Sequence, residues 1–109
     1  MSAAGTSTAG TERTARAPML RLRLYVAGNA PNSLAAVTNI HDICDRFVPG
    51  RHHIELVNVL TEARRALKDG VLMTPMLVKL EPLPALRIVG SLSERDVVIQ
   101  ALGLSALPT

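Results

Sequence analysis

Thiol–disulfide exchange needs two cysteines within reach of each other, and this chain of 109 residues has one, Cys44. Val37, Cys44 and Phe47 recur at helical spacing, so Cys44 is expected on the apolar side of a helix as a core residue. His41 lies one turn before it, and His52 and His53 precede a run of β-branched residues. Adjacent histidines on a strand point to opposite faces, and no carboxylate spacing completes a shell, so this set does not make a metal site. Gly28-Asn29-Ala30 lacks the glycine spacing of a phosphate-binding loop, and no Gly-Lys-Ser/Thr follows it. A nucleotide would have to be held by another protein. Arg64, Arg65 and Lys68, together with Arg87, form a modest positive cluster. Such charges are ordinarily solvated, but they also steer an acidic partner surface.

Composition narrows the classes further. The chain carries 12 Lys plus Arg against 9 Asp plus Glu, a net charge of only +3, and its only aromatic residues are Tyr25 and Phe47. Binders of single-stranded nucleic acid combine a clustered basic groove with aromatic platforms, so no nucleic-acid role is expected. Hydrophobic residues make up 48% of the chain and charged residues 19%, which leaves apolar surface for a protein partner. Neither a membrane span nor a secretory leader is visible. With a single cysteine, the expectation is a soluble cytoplasmic protein.

Residues 1–18 are built from Ala, Ser, Thr and Gly with Glu12, Arg13 and Arg16, and are expected to be a disordered tail. Residues 19–105 form the expected single domain, which exceeds the roughly 70 to 80 residues below which small folds need disulfides or metals. Residues 106–109 are a short C-terminal tail. Within the domain, Leu20, Leu22, Leu24 and Val26 alternate with Arg21, Arg23 and Tyr25, the pattern of a half-buried strand. Leu34, Val37, Ile40, Cys44 and Phe47 then follow helical spacing, so a helix is expected from near Ser33 to just before Pro49-Gly50. A second strand is expected over Ile54 to Val59, and a short helix over Glu62 to Lys68, capped by Thr61 and stopped by Gly70. Met76 to Leu80 and Leu86 to Val89 read as an antiparallel pair. Ser93 and Asp96 then resemble a capping box for a final helix ending at Gly103. The order is βαβαββα, an α/β fold in one domain.

That order is the thioredoxin-like one. The residues at its key points resemble the KaiB family of circadian clock proteins. The segments that carry the resemblance are Leu24-Tyr25-Val26-Ala27-Gly28-Asn29 with Pro31-Asn32-Ser33, Val57-Asn58-Val59-Leu60, Thr74-Pro75, and Arg87-Ile88-Val89-Gly90 with Leu92-Ser93. The chain differs from clock members at Ser91, where they carry aspartate, and at Thr61, where they carry a basic residue. The resemblance implies a non-catalytic, cofactor-free protein that binds a KaiC-like hexameric RecA-type ATPase in a clock or a clock-derived signalling or stress pathway. It also implies homo-oligomers, dimeric or tetrameric, and a second arrangement, βαββααβ, in which the half after about Val59 is rebuilt. The joints of that rebuilding are placed at Thr74-Pro75 and Gly90-Ser91. Ala63 to Lys68 contains no β-branched residue, so local propensity favours the thioredoxin-like arrangement.

Two alternatives belong to the same fold. A redox or glutathione-binding enzyme would need a Cys-x-x-Cys or a glutathione site at the start of the first helix, and that place holds Ala30-Pro31-Asn32-Ser33. A sensor module like the N-terminal domain of the kinase SasA would need a kinase attached. Thr74-Pro75 reads either as a proline opening a strand or, in this fold, as a cis peptide.

Overall fold

A computed structural model describes residues 19–104. The expected tails, 1–18 and 106–109, lie outside the described residues. The elements are β1 (Leu20–Val26), α1 (Pro31–Phe47), β2 (His52–Asn58), α2 (Ala63–Lys68), β3 (Met76–Glu81), β4 (Leu86–Val89) and α3 (Arg95–Ala101). The βαβαββα order is the expected one. The four strands form one sheet in the order β2-β1-β3-β4; β1 and β2 are parallel, while β1 with β3 and β3 with β4 are antiparallel.

The alternation of β1 does what the sequence implies on one face and more on the other. Leu20, Leu22, Leu24 and Val26 are buried in the main core with Ala36, Ile40, Ile43 and Cys44 of α1, Leu77 of β3, Val98 of α3 and Leu102 just after it. Tyr25 points the other way and is equally buried, in a second cluster with Val57, Met76 and Val78. The helices therefore divide: α1 and α3 cover the main core, and α2 lies near the smaller cluster through Asp69 and Val71.

Several boundaries move for identifiable reasons. Helix α1 starts at Pro31 rather than Ser33, because proline at a first helical position gives up no hydrogen bond. Strand β2 begins two residues earlier than Ile54 and ends at Asn58, because its pairing with β1 runs from Leu20 with His52 to Val26 with Asn58. Neither expected cap is used. The Thr61 hydroxyl donates back to the Asn58 carbonyl, and α2 starts at Ala63 after Glu62. Ser93 pairs with Ser91 through their hydroxyls, and α3 starts at Arg95 after Glu94, without a side-chain cap bond.

Cys44 is fully buried in the main core, and burial pushes its thiol up to about 12, with Asp45 adding to the effect. At neutral pH the thiolate, the nucleophilic form, is therefore scarce. Native protein should resist thiol alkylation near pH 8, while denatured protein should react at once; rapid labelling of the native form would contradict the assignment. Cys44→Ser should cost about 1 kcal/mol in chemical denaturation, as a conservative core change does. In solution, NMR secondary shifts should be helical over Ala63–Lys68 and extended over Leu86–Val89; the reverse pattern would show the rebuilt arrangement.

Candidate interaction site

β1 and β2 run parallel and β4 runs antiparallel to β3, so three strands finish, and β3 begins, at one end of the sheet. That end gathers the β1–α1 loop, the β2–α2 loop, Thr74-Pro75 and Gly90. The Thr74–Pro75 peptide is cis, and Gly90 donates its N–H to the Pro75 carbonyl at 2.9 Å. Gly90 sits at φ +119°, a conformation that side-chain-bearing residues seldom adopt.

Asn58 ties two of these loops together. Its side-chain oxygen accepts from the N–H groups of Gly28 and Leu60, each at 3.0 Å, and its carbonyl accepts from Thr61 and Glu62. Gly28 has φ +55°, and a Cβ there would approach Leu60 to 3.1 Å, so glycine answers both the turn and the close approach. Ser33 is buried, and its hydroxyl accepts from the Ala27 N–H at 3.1 Å, closing the β1–α1 loop onto the helix. A dithiol enzyme would need sulfur at Ala30 and Ser33. Here one place holds a methyl group and the other a hydroxyl committed to the backbone.

The β2–α2 loop, α2 and the segment leading to Pro75 each carry exposed aliphatic side chains. Leu60, Leu67, Leu72 and Met73 are all exposed, Leu72 at 91% and Leu67 at 76%. Exposed aliphatics on this scale fit protein docking better than small-molecule chemistry.

The four basic candidates do not act alike. Arg64 and Lys68 are exposed and lie one helical turn apart, on one side of α2. Arg65 turns toward the sheet, where it donates to Glu55 at 2.6 Å; Arg23 donates to the other oxygen of Glu55 at 2.8 Å. Those two bonds hold the Glu55 carboxyl below the usual carboxylate range. Arg87 donates to the carbonyls of Asp69 and Gly70 at 2.7 and 3.2 Å, satisfying the C-terminal end of α2. The Tyr25 hydroxyl donates to the Asp69 carboxylate, and burial followed by that hydrogen bond pushes the phenol above its ordinary value. Arg64 and Lys68 thus face solvent, while Arg65 and Arg87 are built into the fold.

Ser91 is held from the other side. Its carbonyl accepts from the Asn39 side chain at 2.9 Å, and Arg95 donates to the oxygen of Asn39 at 2.8 Å and to Asp42 at 3.0 Å. The next residue, Leu92, is the only non-glycine at positive φ among the described residues, at +63°, with its side chain sunk in the main core. Sequence reasoning missed Asn58, Asn39, Asp69 and the Arg23–Glu55 pair. The basic–acidic pattern of Arg23 and Glu55 was visible, but only strand register shows that they face each other.

The histidines are scattered. His52 donates from Nδ1 to the Val48 carbonyl at 2.8 Å and sits 3.7 Å from Asp45, while His41 and His53 are exposed. Among the described residues no group of three or more His, Cys, Asp or Glu is placed to hold a metal ion, and no helix is long and apolar enough to cross a membrane.

Known structures share this fold. The N-terminal domain of SasA from Synechococcus elongatus superposes with a TM-score of 0.65 at 21% identity, covering 86% of this chain and 92% of that one. A chloroplastic thioredoxin z superposes at 0.66 with 16% identity, covering 78% and 76%. These likenesses establish a thioredoxin-like fold. In sequence, the circadian clock oscillator protein KaiB of Prochlorococcus marinus is 40% identical over 83 residues, which is 76% of this chain and 73% of that protein. The circadian clock protein KaiB3 of Synechocystis sp. is 37% identical over 87 residues, 80% of this chain and 83% of the relative. The KaiB domain model matches residues 23–104, from the second arginine of β1 to the end of the described chain. On both counts this chain belongs to the KaiB family.

Proposed function

We propose that this chain is a non-catalytic regulatory protein that binds a KaiC-like, RecA-type hexameric ATPase, in a circadian clock or a signalling or stress pathway derived from one. Family membership supports the partner class. One observation carries the mode of action: the end of the sheet where thioredoxin-like enzymes hold their thiols has Ala30 and Ser33 instead, beside exposed Leu60, Leu67, Leu72 and Met73. A surface of that kind recognises another protein by burying aliphatic area. Arg64 and Lys68 on its flank supply charge that speeds encounter with an acidic patch.

The roles divide accordingly. Arg64 and Lys68 contact the partner or steer toward it, whereas Arg65 and Arg87 hold α2 in place for it. Thr74, Pro75, Gly90 and Ser91 fix the loops of the docking end and are the joints at which the second half of the fold would rebuild. A homo-oligomer, dimeric or tetrameric, would compete for the same apolar surface. The place of action is the cytoplasm, where the partner class works.

Mixed with a KaiC-like hexamer and nucleotide at micromolar concentration, the protein should co-elute in size-exclusion chromatography. Failure to associate with a competent hexamer would sink the proposal. Arg64→Glu combined with Lys68→Glu should slow association by about tenfold at low salt while leaving the melting temperature within about 2 °C, since neither side chain is built into the fold. The protein should show no turnover in a disulfide-reductase assay; dithiol-dependent activity would favour the redox reading instead.

A further inference from the structure

Helix α2 has only six residues, and a helix that short does not hold in water by its own hydrogen bonds. Of the six, only Ala66 is buried, while Leu67 points to solvent; α1, by comparison, buries Ser33, Ala36, Ile40, Ile43 and Cys44. No side chain caps the start of α2. Its attachment to the sheet is largely polar: Arg65 to Glu55 at 2.6 Å, the Tyr25 hydroxyl to Asp69, and Arg87 to the carbonyls of Asp69 and Gly70. Arg23 adds a longer-range attraction to Asp69 at 3.9 Å, and Glu62 pairs with Arg65 at 3.4 Å. The apolar part of the attachment is the buried Ala66 together with Val71, which packs against the cluster of Tyr25, Val57, Met76 and Val78.

Polar attachments of partly exposed groups are weak and screened by salt, whereas the main core is neither. Segments with few buried apolar contacts open below the global unfolding free energy. We infer that residues 62–73 are a strap that opens as a unit over the Tyr25 cluster while β1, β3 and α1 stay folded, with Arg65–Glu55 and Asp69–Tyr25 as its two latches. Opening bares Tyr25, Val57, Met76 and Val78 and disperses Leu67, Leu72 and Met73 from the sheet end. The docking surface exists only while the latches are closed. A partner that binds the closed strap therefore tightens it, and this inference concerns the free chain whether or not a KaiC-like hexamer is that partner.

Hydrogen exchange of the full-length protein, read by NMR or by mass spectrometry, tests this directly. The amides of Ala66, Asp69, Gly70 and Val71 are hydrogen-bonded within the strap and serve as reporters, with those of Ile40 to Cys44 as the reference. In the unmodified protein the strap amides should exchange at least about tenfold faster than the reference. Raising salt to about 0.5 M should speed the strap alone, because screening acts on its latches and not on the main core. Glu55→Gln should do the same by about fivefold. Equal rates for strap and reference in the unmodified protein would overturn the inference, as would a salt or Glu55→Gln effect that accelerates both sets alike. The salt series uses the native sequence, so it decides the matter even where Glu55→Gln lowers overall stability.

Discussion

Strand β1 is paired along both edges and covered on both faces, yet it carries arginine at alternate positions. Arg21, near the start of the strand, remains exposed, but Arg23 is half-buried beside Tyr25. A half-buried guanidinium in that position is stabilised by a carboxylate beside it. Register brings Glu55 of β2 opposite it, and Glu55, with two oxygens to offer, also takes Arg65. Arg65 orients α2, the end of α2 brings Asp69 to Tyr25, and Arg87 from β4 closes the far side. One charge placed on the central strand thus organises a layer that hydrophobic burial alone would leave nearly unattached.

The two layers are held by different physics. On one side, aliphatic side chains from all four strands and two helices make a contiguous core in which Cys44 behaves as a small hydrophobe. On the other, four buried residues lie beneath a net of hydrogen bonds and ion pairs. The first is insensitive to ionic conditions, and the second responds to them. A protein that has to hold its scaffold while changing its surface is well served by such a split.

Much of this was legible in the sequence. Period-two alternation located β1, helical spacing located α1 and α3, and turn residues separated β3 from β4, because each of these patterns is imposed by one layer of burial. The missing thiols at Ala30 and Ser33 could be read directly. Helix caps could not: Thr61 and Ser93 are good capping residues by type, but each finds a nearer partner, the Asn58 carbonyl in one case and Ser91 in the other. Nor could the division among the four basic residues. Arg64 and Arg65 are neighbours of the same type, and only the rotation of α2 against the sheet sends one to Glu55 and the other to water. Asn58 was part of a recognised segment, yet its service to two loops depends on β1 and β2 ending side by side.

If Arg64 and Lys68 meet the partner as proposed, that rotation of α2 separates what folding needs from what recognition would use. Positions 64 and 68 can change sign, size or polarity without disturbing any bond that holds the strap, while position 65 cannot. On that proposal, selection can retune which partner the surface prefers at little risk to the scaffold. Descendants of one ancestor could diverge in specificity by drift at two solvent-facing sites, long before their architecture shows any difference.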